Sequence, residues 1–443
     1  MDRKQNSTSE REAEERASQL LESFAASEPL ASQLGAAGGD MPHMIRALRH
    51  RDFRLFWGGN FLSNIGTWMQ NVAMGWLVLQ LATDNPAFWL GVVGFASSAP
   101  MLAFSLLGGV IADRIDRRKL MLVTQSAMMI FAFILWGLTA LHWMTLPLLV
   151  LISFTTGIAM ALNTPSYQAL VPQLVPREDL ANAIALNAAQ FNMSRVVGPT
   201  LGGFAMAWFG VQGNFLLNAL SFVAVLVALM RISYPPLYAA EKNTMWEDLK
   251  EGLWYVFDRK DLFTLLSMTA VASVLVIPYI TFVPLFAKQI LHLDARGFGL
   301  LMAANGGGAF VAAVTMAFTR HGKRRGRVVF LSSLALNVFV VLFAVSRNRW
   351  LSGLMLVGTG YFMVMMIATV NVMLQHLSED KMRGRVMSIY ATAFLGFAPL
   401  GSLMAGSLAG TFTAPVSIAA MAIVGLVINV VIYRRRPELG RLE

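Results

Sequence analysis

The stretch that decides the fold is GGVIADRIDRRK, residues 108–119, where a long apolar run ends in a dense group of charges. No charged residue lies between Asp84 and Asp113, whereas six of the seven positions from Asp113 to Lys119 are charged. A bilayer core about 30 Å thick needs roughly 20 apolar residues per helix. The run therefore predicts a membrane-spanning helix, and the charges predict the turn that follows it.

The composition extends this interpretation to the whole chain. Of 443 residues, 56% are hydrophobic and 14% are charged, which favours a bilayer protein over a soluble one. Cysteine is absent, which excludes disulfides and thiolate metal sites, and we predict no metal site and no bound cofactor. The net charge of +10 is distributed as expected for a protein at a membrane surface, so we predict a lipid bilayer and no nucleic acid as partner.

Runs without Asp, Glu, Lys or Arg predict twelve spans. Single spans are predicted within 55–83, 85–112, 262–287, 297–319, 328–346 and 351–378, and pairs of spans within 120–176, 180–230 and 386–433. The run 180–230 is interrupted by a single charge, and a turn near Gly210–Gly213 is predicted to join its two spans. The runs are too long and too uniformly apolar for the strands of a membrane barrel. The predicted fold class is an all-α membrane protein.

The basic residues predict the orientation, because Lys and Arg concentrate in cytoplasmic loops. With both termini in the cytoplasm, the four basic residues outside are Lys288, Arg296, Arg347 and Arg349, out of 35 in the chain. One more, Arg195, falls within a span. The predicted location is the cell (inner) membrane, crossed many times.

Six spans on each side of a polar break indicate two pseudo-symmetric six-helix bundles. A shift of 200 residues supports the duplication, since it aligns Asp179 with Glu379 and Pro199 with Pro399. The predicted divisions are a mobile cytoplasmic tail at 1–45, a first bundle at 46–233, a cytoplasmic linker with an amphipathic helix at 234–260, a second bundle at 261–434 and a cytoplasmic tail at 435–443.

The opening stretch resembles the best-known motif of the major facilitator superfamily, found between spans two and three. It reads Gly109-Val-Ile-Ala-Asp113-Arg114-Ile-Asp116-Arg117-Arg118, with Asp116 where the family has glycine. The resemblance implies that Asp113 faces the start of span eleven and closes the cytoplasmic side in one state. A carboxylate at a helix N-terminus is favoured by about 0.3–1 kcal/mol. The alternative is a loop charge paired locally with Arg117.

Span five is similar to the motif associated with exporters and antiporters in that superfamily. Its core is Gly198-Pro199-Thr-Leu-Gly202-Gly203. Glycines allow a neighbouring helix to approach closely, and proline can kink the span. The alternative is tight packing without a role in transport.

Three further segments narrow the resemblance to the drug:proton antiporter-3 branch, which contains macrolide efflux proteins and the enterobactin exporter. They are Phe53-Arg-Leu-Phe-Trp57, Pro176-Arg-Glu-Asp179 and Gly384-Arg-Val386, and the resemblance covers about residues 45–436. It implies the major facilitator fold and a monomeric secondary active exporter of a bulky organic small molecule, of drug or siderophore type. It also implies that the proton gradient drives transport by alternating access.

Polar residues within the spans predict the substrate path. In span one, Asn60, Asn64, Thr67 and Asn71 share one helical face, which should face a cavity because lipid would leave it unsatisfied. The alternative is interhelical hydrogen bonding without substrate contact. In the family, spans one, four, seven and ten line the cavity, which adds Asn163, Tyr167, Asn371 and Gln375 as candidates.

Arg195 is the one formal charge within a predicted span, and Gln190 lies on a similar face. A lone cation at the membrane midplane needs an anionic substrate, cavity water or backbone carbonyls as partner, unless its role is structural. No Asp or Glu lies within a span, so proton coupling is implied by the resemblance alone.

The leading hypothesis is an exporter, and the runner-up is an importer or lysophospholipid flippase on the same scaffold. A membrane enzyme or a non-transporting sensor belongs to a different class. The sequence has neither a Gly-x-x-x-x-Gly-Lys-Ser/Thr loop nor a His-Glu-x-x-His site, so we predict neither ATP-driven transport nor enzyme activity.

Overall fold

The computed structural model describes residues 45–114, 116–233, 245–318 and 324–438. The predicted N-terminal tail, except its last residue, lies outside these ranges, as do 234–244 of the linker and 439–443 of the C-terminal tail. The α-helices are α1 Arg51–Leu81, α2 Pro86–Arg114, α3 Arg117–Ala140, α4 Leu146–Leu170, α5 Leu180–Arg231, α6 Met245–Asp258, α7 Lys260–Leu275, α8 Tyr279–Leu285, α9 Ala295–Phe318, α10 Arg325–Val345, α11 Arg349–Leu377, α12 Asp380–Ala391, α13 Ala398–Thr411 and α14 Ala414–Arg435.

Within the described residues, nine helical segments are long and apolar enough to cross a membrane. One of them contains α5, whose chain reverses direction at Gly210, where φ is +71°. The Asn214 side chain donates a hydrogen bond of 2.9 Å to the Gly202 carbonyl. Residues twelve apart in a straight helix lie roughly 18 Å apart, so α5 consists of two antiparallel arms, 180–209 and 211–231. Twelve spans in total stays a prediction.

The two halves repeat an ion pair at the 200-residue shift. Asp179 precedes α5 and lies 2.9 Å from the Arg46 guanidinium and 2.7 Å from the His50 ring. Glu379 precedes α12 and pairs with Arg259. Each set of basic residues lies just before the first helix of its half, so the two acids fix equivalent helix starts.

The halves share a hydrophobic core toward one end of the molecule. We call this the Lys288 end; there α1 ends, α2 begins and Lys288 lies between α8 and α9. Buried residues of the first half at this end, such as Val78 and Leu90, belong to one core with Phe286 of the second half. At the opposite end, first-half residues such as Phe56 form a separate cluster. Among the described side chains, the first half therefore joins the second mainly at the Lys288 end.

The segment between the halves contains α6, which packs on the second half. Glu251 lies 2.7 Å from the Arg385 guanidinium, and a Cβ at Gly252 would lie 3.0 Å from the Arg385 Cβ. These contacts fix α6 against α12 of the second half.

Candidate functional site

A cavity of about 410 Å³ lies between the two halves. Residues of α1–α5 line one side of it, and residues of α8 and α9 line the other. Its polar lining is made of hydroxyl and amide side chains: Thr67, Gln70, Asn71, Ser97, Ser98, Ser153, Thr156, Asn218 and Thr281. Trp68, Phe298 and several methionines add apolar surface. This mixture suits a ligand that carries both polar groups and apolar bulk.

Two of the predicted span-one residues, Thr67 and Asn71, line the cavity, and the Asn71 side chain is exposed in it. Asn64 lies on the same face and is half-buried. Sequence reasoning missed Ser97 and Thr281. Each is a small hydroxyl residue in a long apolar run, and neither belongs to a polar face with helical spacing that would single it out.

Three other predicted residues bond to neighbouring helices. Asn60 donates a hydrogen bond of 3.0 Å to the Tyr167 hydroxyl, which in turn donates to the Asn187 side chain. Asn163 accepts a hydrogen bond of 3.0 Å from Thr124. None of the three lines the cavity in this conformation. Their geometry matches the alternative in which polar side chains tie helices together.

Gln190 differs from these residues because its amide is unsatisfied. The side chain is fully buried in α5, and neither its nitrogen nor its oxygen has a hydrogen-bond partner among the described residues. Leaving a buried polar group unpaired costs about 1–3 kcal/mol. A water or a ligand atom reaching this position would remove that cost.

Asn371 and Gln375 lie one turn apart in α11, away from the cavity lining. The Gln375 amide donates a hydrogen bond of 2.7 Å to Asn371, and the Gln375 side chain is exposed. Since α11 ends at Leu377, the pair lies at the opposite end of the molecule from Lys288.

Arg195 lies on the first arm of α5 and is half-buried. Its guanidinium carbon is 5.7 Å from the centre of the Trp68 ring, within the range of a cation–π contact. A polar cluster of the second half contains Tyr279, Asn305 and Thr359. Tyr279 is fully buried at the break between α7 and α8, and its hydroxyl accepts a hydrogen bond of 2.5 Å from Asn305. Arg195 thus lies beside a cavity-lining ring, and its backbone packs on Gly306 of α9 in the second half.

The glycine motif of α5 contacts both halves. A Cβ at Gly198 would lie 2.9 Å from the Ile65 carbonyl oxygen of α1, and one at Gly202 would lie 3.1 Å from the Met69 Cα. On another face, a Cβ at Gly203 would lie 2.8 Å from the Gly299 Cα of α9. A Cβ at Gly299 would in turn lie 2.8 Å from the Pro199 carbonyl oxygen. The motif therefore lets α5 pack backbone to backbone against α1 and α9 at once.

The motif that opens α3 caps two helices. Gly109, Asp113 and Arg114 belong to α2, but their side chains lie outside the described part of the structure. Asp116, which stands where the family has glycine, accepts a hydrogen bond of 3.0 Å from the Lys119 amide and caps α3. Arg118 donates to the carbonyls of Leu229 and Met230, at 2.5 and 2.6 Å, and caps the end of α5.

Replacing Arg118 by methionine is expected to lower stability. The change keeps the apolar stem but leaves two carbonyls in the last turn of α5 without a charged donor, at a cost of about 1–2 kcal/mol. Thermal unfolding of the purified protein in detergent measures the effect. The control is Lys119→Met, which removes an adjacent exposed cation. Equal midpoints for the two variants would contradict the capping role.

The two helical halves and the cavity between them fit a membrane transporter, and the family match points to a transporter rather than an enzyme. The family model described as "Transmembrane secretion effector" matches residues 44–440. The chain belongs to this family of the major facilitator superfamily, which confirms the resemblance and the predicted fold class, and it is a multi-pass membrane protein.

Characterised relatives cover most of the chain. The staphyloferrin A transporter of Staphylococcus aureus (strain NCTC 8325 / PS 47) is 26% identical over 86% of this chain and 95% of its own. A Na(+), Li(+), K(+)/H(+) antiporter of Planococcus maritimus is 24% identical over 74% of this chain and 82% of its own. The enterobactin exporter EntS of Salmonella typhi is 24% identical over 86% of this chain and 90% of its own.

Solved structures agree on the fold. A bacterial homologue of the human lysosomal transporter Spinster, in an inward-facing and occupied conformation, superposes with a TM-score of 0.70. The match covers 90% of this chain and 98% of that one, at 13% identity. At this identity the likeness supports the fold alone.

Proposed function

We propose that the chain is a secondary active exporter of a bulky organic small molecule, of drug or siderophore type. The observation that carries the proposal is the cavity between two halves that share their core toward one end. A cavity in this position, joined at one end, is what a transporter needs to hold cargo accessible from one side of the membrane.

Alternating access requires that the halves rock against each other at contacts that tolerate a change of angle. The crossings of α5 with α9 and of α2 with α13 have this character, because each is made of glycines. A Cβ at Gly203 would meet Gly299, and one at Gly91 would lie 2.9 Å from the Gly406 Cα. Without side chains between them, two backbones can roll over each other with little rearrangement. Export as the direction is favoured by the family description and by the relative named as an exporter.

The cargo is best anchored by an anionic or electron-rich group. Arg195 is close to the cavity-lining Trp68, and Thr67 and Asn71 offer hydroxyl and amide groups nearby. Two of the relatives carry siderophore names, and siderophores combine such groups with bulk. The full proposed binding set is Asn60, Asn64, Thr67, Asn71, Asn163, Tyr167, Gln190, Arg195, Asn371 and Gln375. Within it, Thr67 and Asn71 line the cavity in this conformation, and Arg195 lies outside the lining but next to the cavity-lining Trp68.

The proposal also covers the energy source, the location in the membrane and the working unit. The relative named as an ion/H(+) antiporter favours drive by the proton gradient. The charge distribution along the sequence favours the inner membrane with both termini in the cytoplasm. The cavity is built from one chain, which fits a monomer as the working unit.

Transport in everted vesicles tests the proposal. Vesicles carrying the protein should accumulate a radiolabelled catecholate siderophore or macrolide when respiration acidifies the lumen, because exchange with protons drives cargo inward there. A protonophore should abolish the accumulation, and vesicles without the protein give the baseline.

Accumulation in right-side-out vesicles instead would indicate an importer. Movement of a fluorescent lysophospholipid between leaflets, without uptake of either compound, would indicate a flippase. Cargo binding without movement would indicate a sensor.

A further inference from the structure

Lys288, in the second half, makes a contact with the first half outside the cavity. It lies in a π-helical turn, Phe286–Ile290, which continues α8. Such turns interrupt regular helices and are frequent at functional positions. The Lys288 side chain is half-buried, although the residue belongs to a connecting loop in the predicted topology.

The Lys288 ammonium bonds across the two halves. It donates a hydrogen bond of 3.0 Å to the carbonyl of Leu79, in the last turn of α1. The last four carbonyls of a helix have no donor within the helix, and the partial negative charge at that terminus attracts a cation. The second half therefore supplies the charged cap for the first helix of the first half.

Two aromatic rings continue the contact from Lys288 toward the cavity. The ammonium lies 5.8 Å from the centre of the Trp76 ring on α1. Trp76 stacks on Phe298 of α9, with ring centres 5.7 Å apart and planes 16° apart. Phe298 lines the cavity, so the side chains of Lys288, Trp76 and Phe298 form a continuous row of contacts from the Lys288 end to the cavity.

We propose that Lys288 is a gating residue that holds the Lys288 end of the transporter closed by capping α1. This gating role rests on the proposed function, because only a transporter needs an end that opens and closes. Opening at this end must move α8 away from α1, which breaks the bond to Leu79 and exposes the Trp76 and Phe298 rings. Losing the ammonium favours the conformation that is open at this end.

Cysteine labelling measures this equilibrium directly, because the chain contains no native cysteine. Ser97 is exposed, lines the cavity and differs from cysteine by one atom, so Ser97→Cys provides a single reporter. A membrane-impermeant maleimide is added to whole cells or to everted vesicles, and each preparation presents one face. In the Lys288→Met background, labelling from the face that carries Lys288 should accelerate about threefold to tenfold, the factor that a partly buried charge at a helix terminus contributes. Labelling from the other face should slow.

Two further variants separate gating from general loosening. Lys288→Arg keeps the cation and should label like the parent, and Arg296→Met removes an exposed cation from the same end and should do the same. Equal labelling of Lys288→Met and its parent, or a rise from both faces together, would overturn the proposal. The assay needs no cargo. A labelling shift in a protein that transports neither test compound would keep the gating role and refute export of those two compounds.

Discussion

Replacing Gly306 by alanine is expected to reduce transport about fivefold or more, whereas the same change at Gly307 should leave it unaltered. A Cβ at Gly306 would collide with the Arg195 carbonyl oxygen of α5 and lie 3.1 Å from the Val196 Cα. Both atoms belong to backbone and cannot turn aside, so α9 must move away from α5. Overpacking of this kind costs about 1–3 kcal/mol, which spans factors of roughly 5 to 150 in an equilibrium.

The neighbouring glycine provides the control. A Cβ at Gly307 would meet nothing within 4 Å, although it follows Gly306 directly in the same helix. Initial rates of cargo efflux, normalised to the amount of each variant in the membrane, make the comparison. If Gly306→Ala fails to reach the membrane, Gly203→Ala tests the same pair of helices at their other close contact. Equal rates for the two neighbouring variants would show that the crossing of α5 and α9 does not limit transport.

The sequence predicts the helices well because one physical requirement dominates them. Backbone groups in a bilayer must bond within their own helix, so long runs without charge become helices. Glycine tolerates positive φ, and the reversal predicted at 210–213 occurs at Gly210. The break at Pro278, which divides one predicted span into α7 and α8, was not predicted, since proline inside a membrane helix often leaves it continuous.

Contacts across the fold are harder to predict. A polar face on span one was recognised by its spacing, but spacing does not reveal that Asn60 bonds Tyr167 while Asn71 is exposed in the cavity. Those outcomes depend on which helix lies opposite each turn. Lys288 looked like an ordinary loop charge, because its partner carbonyl at Leu79 is distant in the sequence and backbone carbonyls leave no sequence signal.

The aromatic contacts of Arg195 sharpen the test of its role. The guanidinium is planar and lies over the Trp68 ring, and a guanidinium presents a fork of donors that matches a carboxylate or a catecholate oxygen. Lysine keeps the charge but loses the plane and the fork. If Arg195 binds cargo, Arg195→Lys should impair export of an anionic compound more than export of a neutral macrolide, and Arg195→Ala should abolish the former.

A structural role for Arg195 predicts a different pattern. The backbone of Arg195 already packs on Gly306 of the other half, and its side chain lies over the Trp68 ring. Loss of those contacts would lower the amount of protein in the membrane and reduce export of both compounds by the same factor. The measurement is therefore the ratio of anionic to neutral efflux, each normalised to protein in the membrane.

Trp68→Phe is a useful companion, because it keeps an aromatic face for the guanidinium while changing the cavity wall. A ratio that stays at the parent value in Arg195→Lys and Arg195→Ala would refute anion binding and leave Arg195 as a contact between the halves. A ratio that falls in Arg195→Lys and falls further in Arg195→Ala, with Trp68→Phe near the parent, would identify the guanidinium itself as the group that selects an anionic cargo.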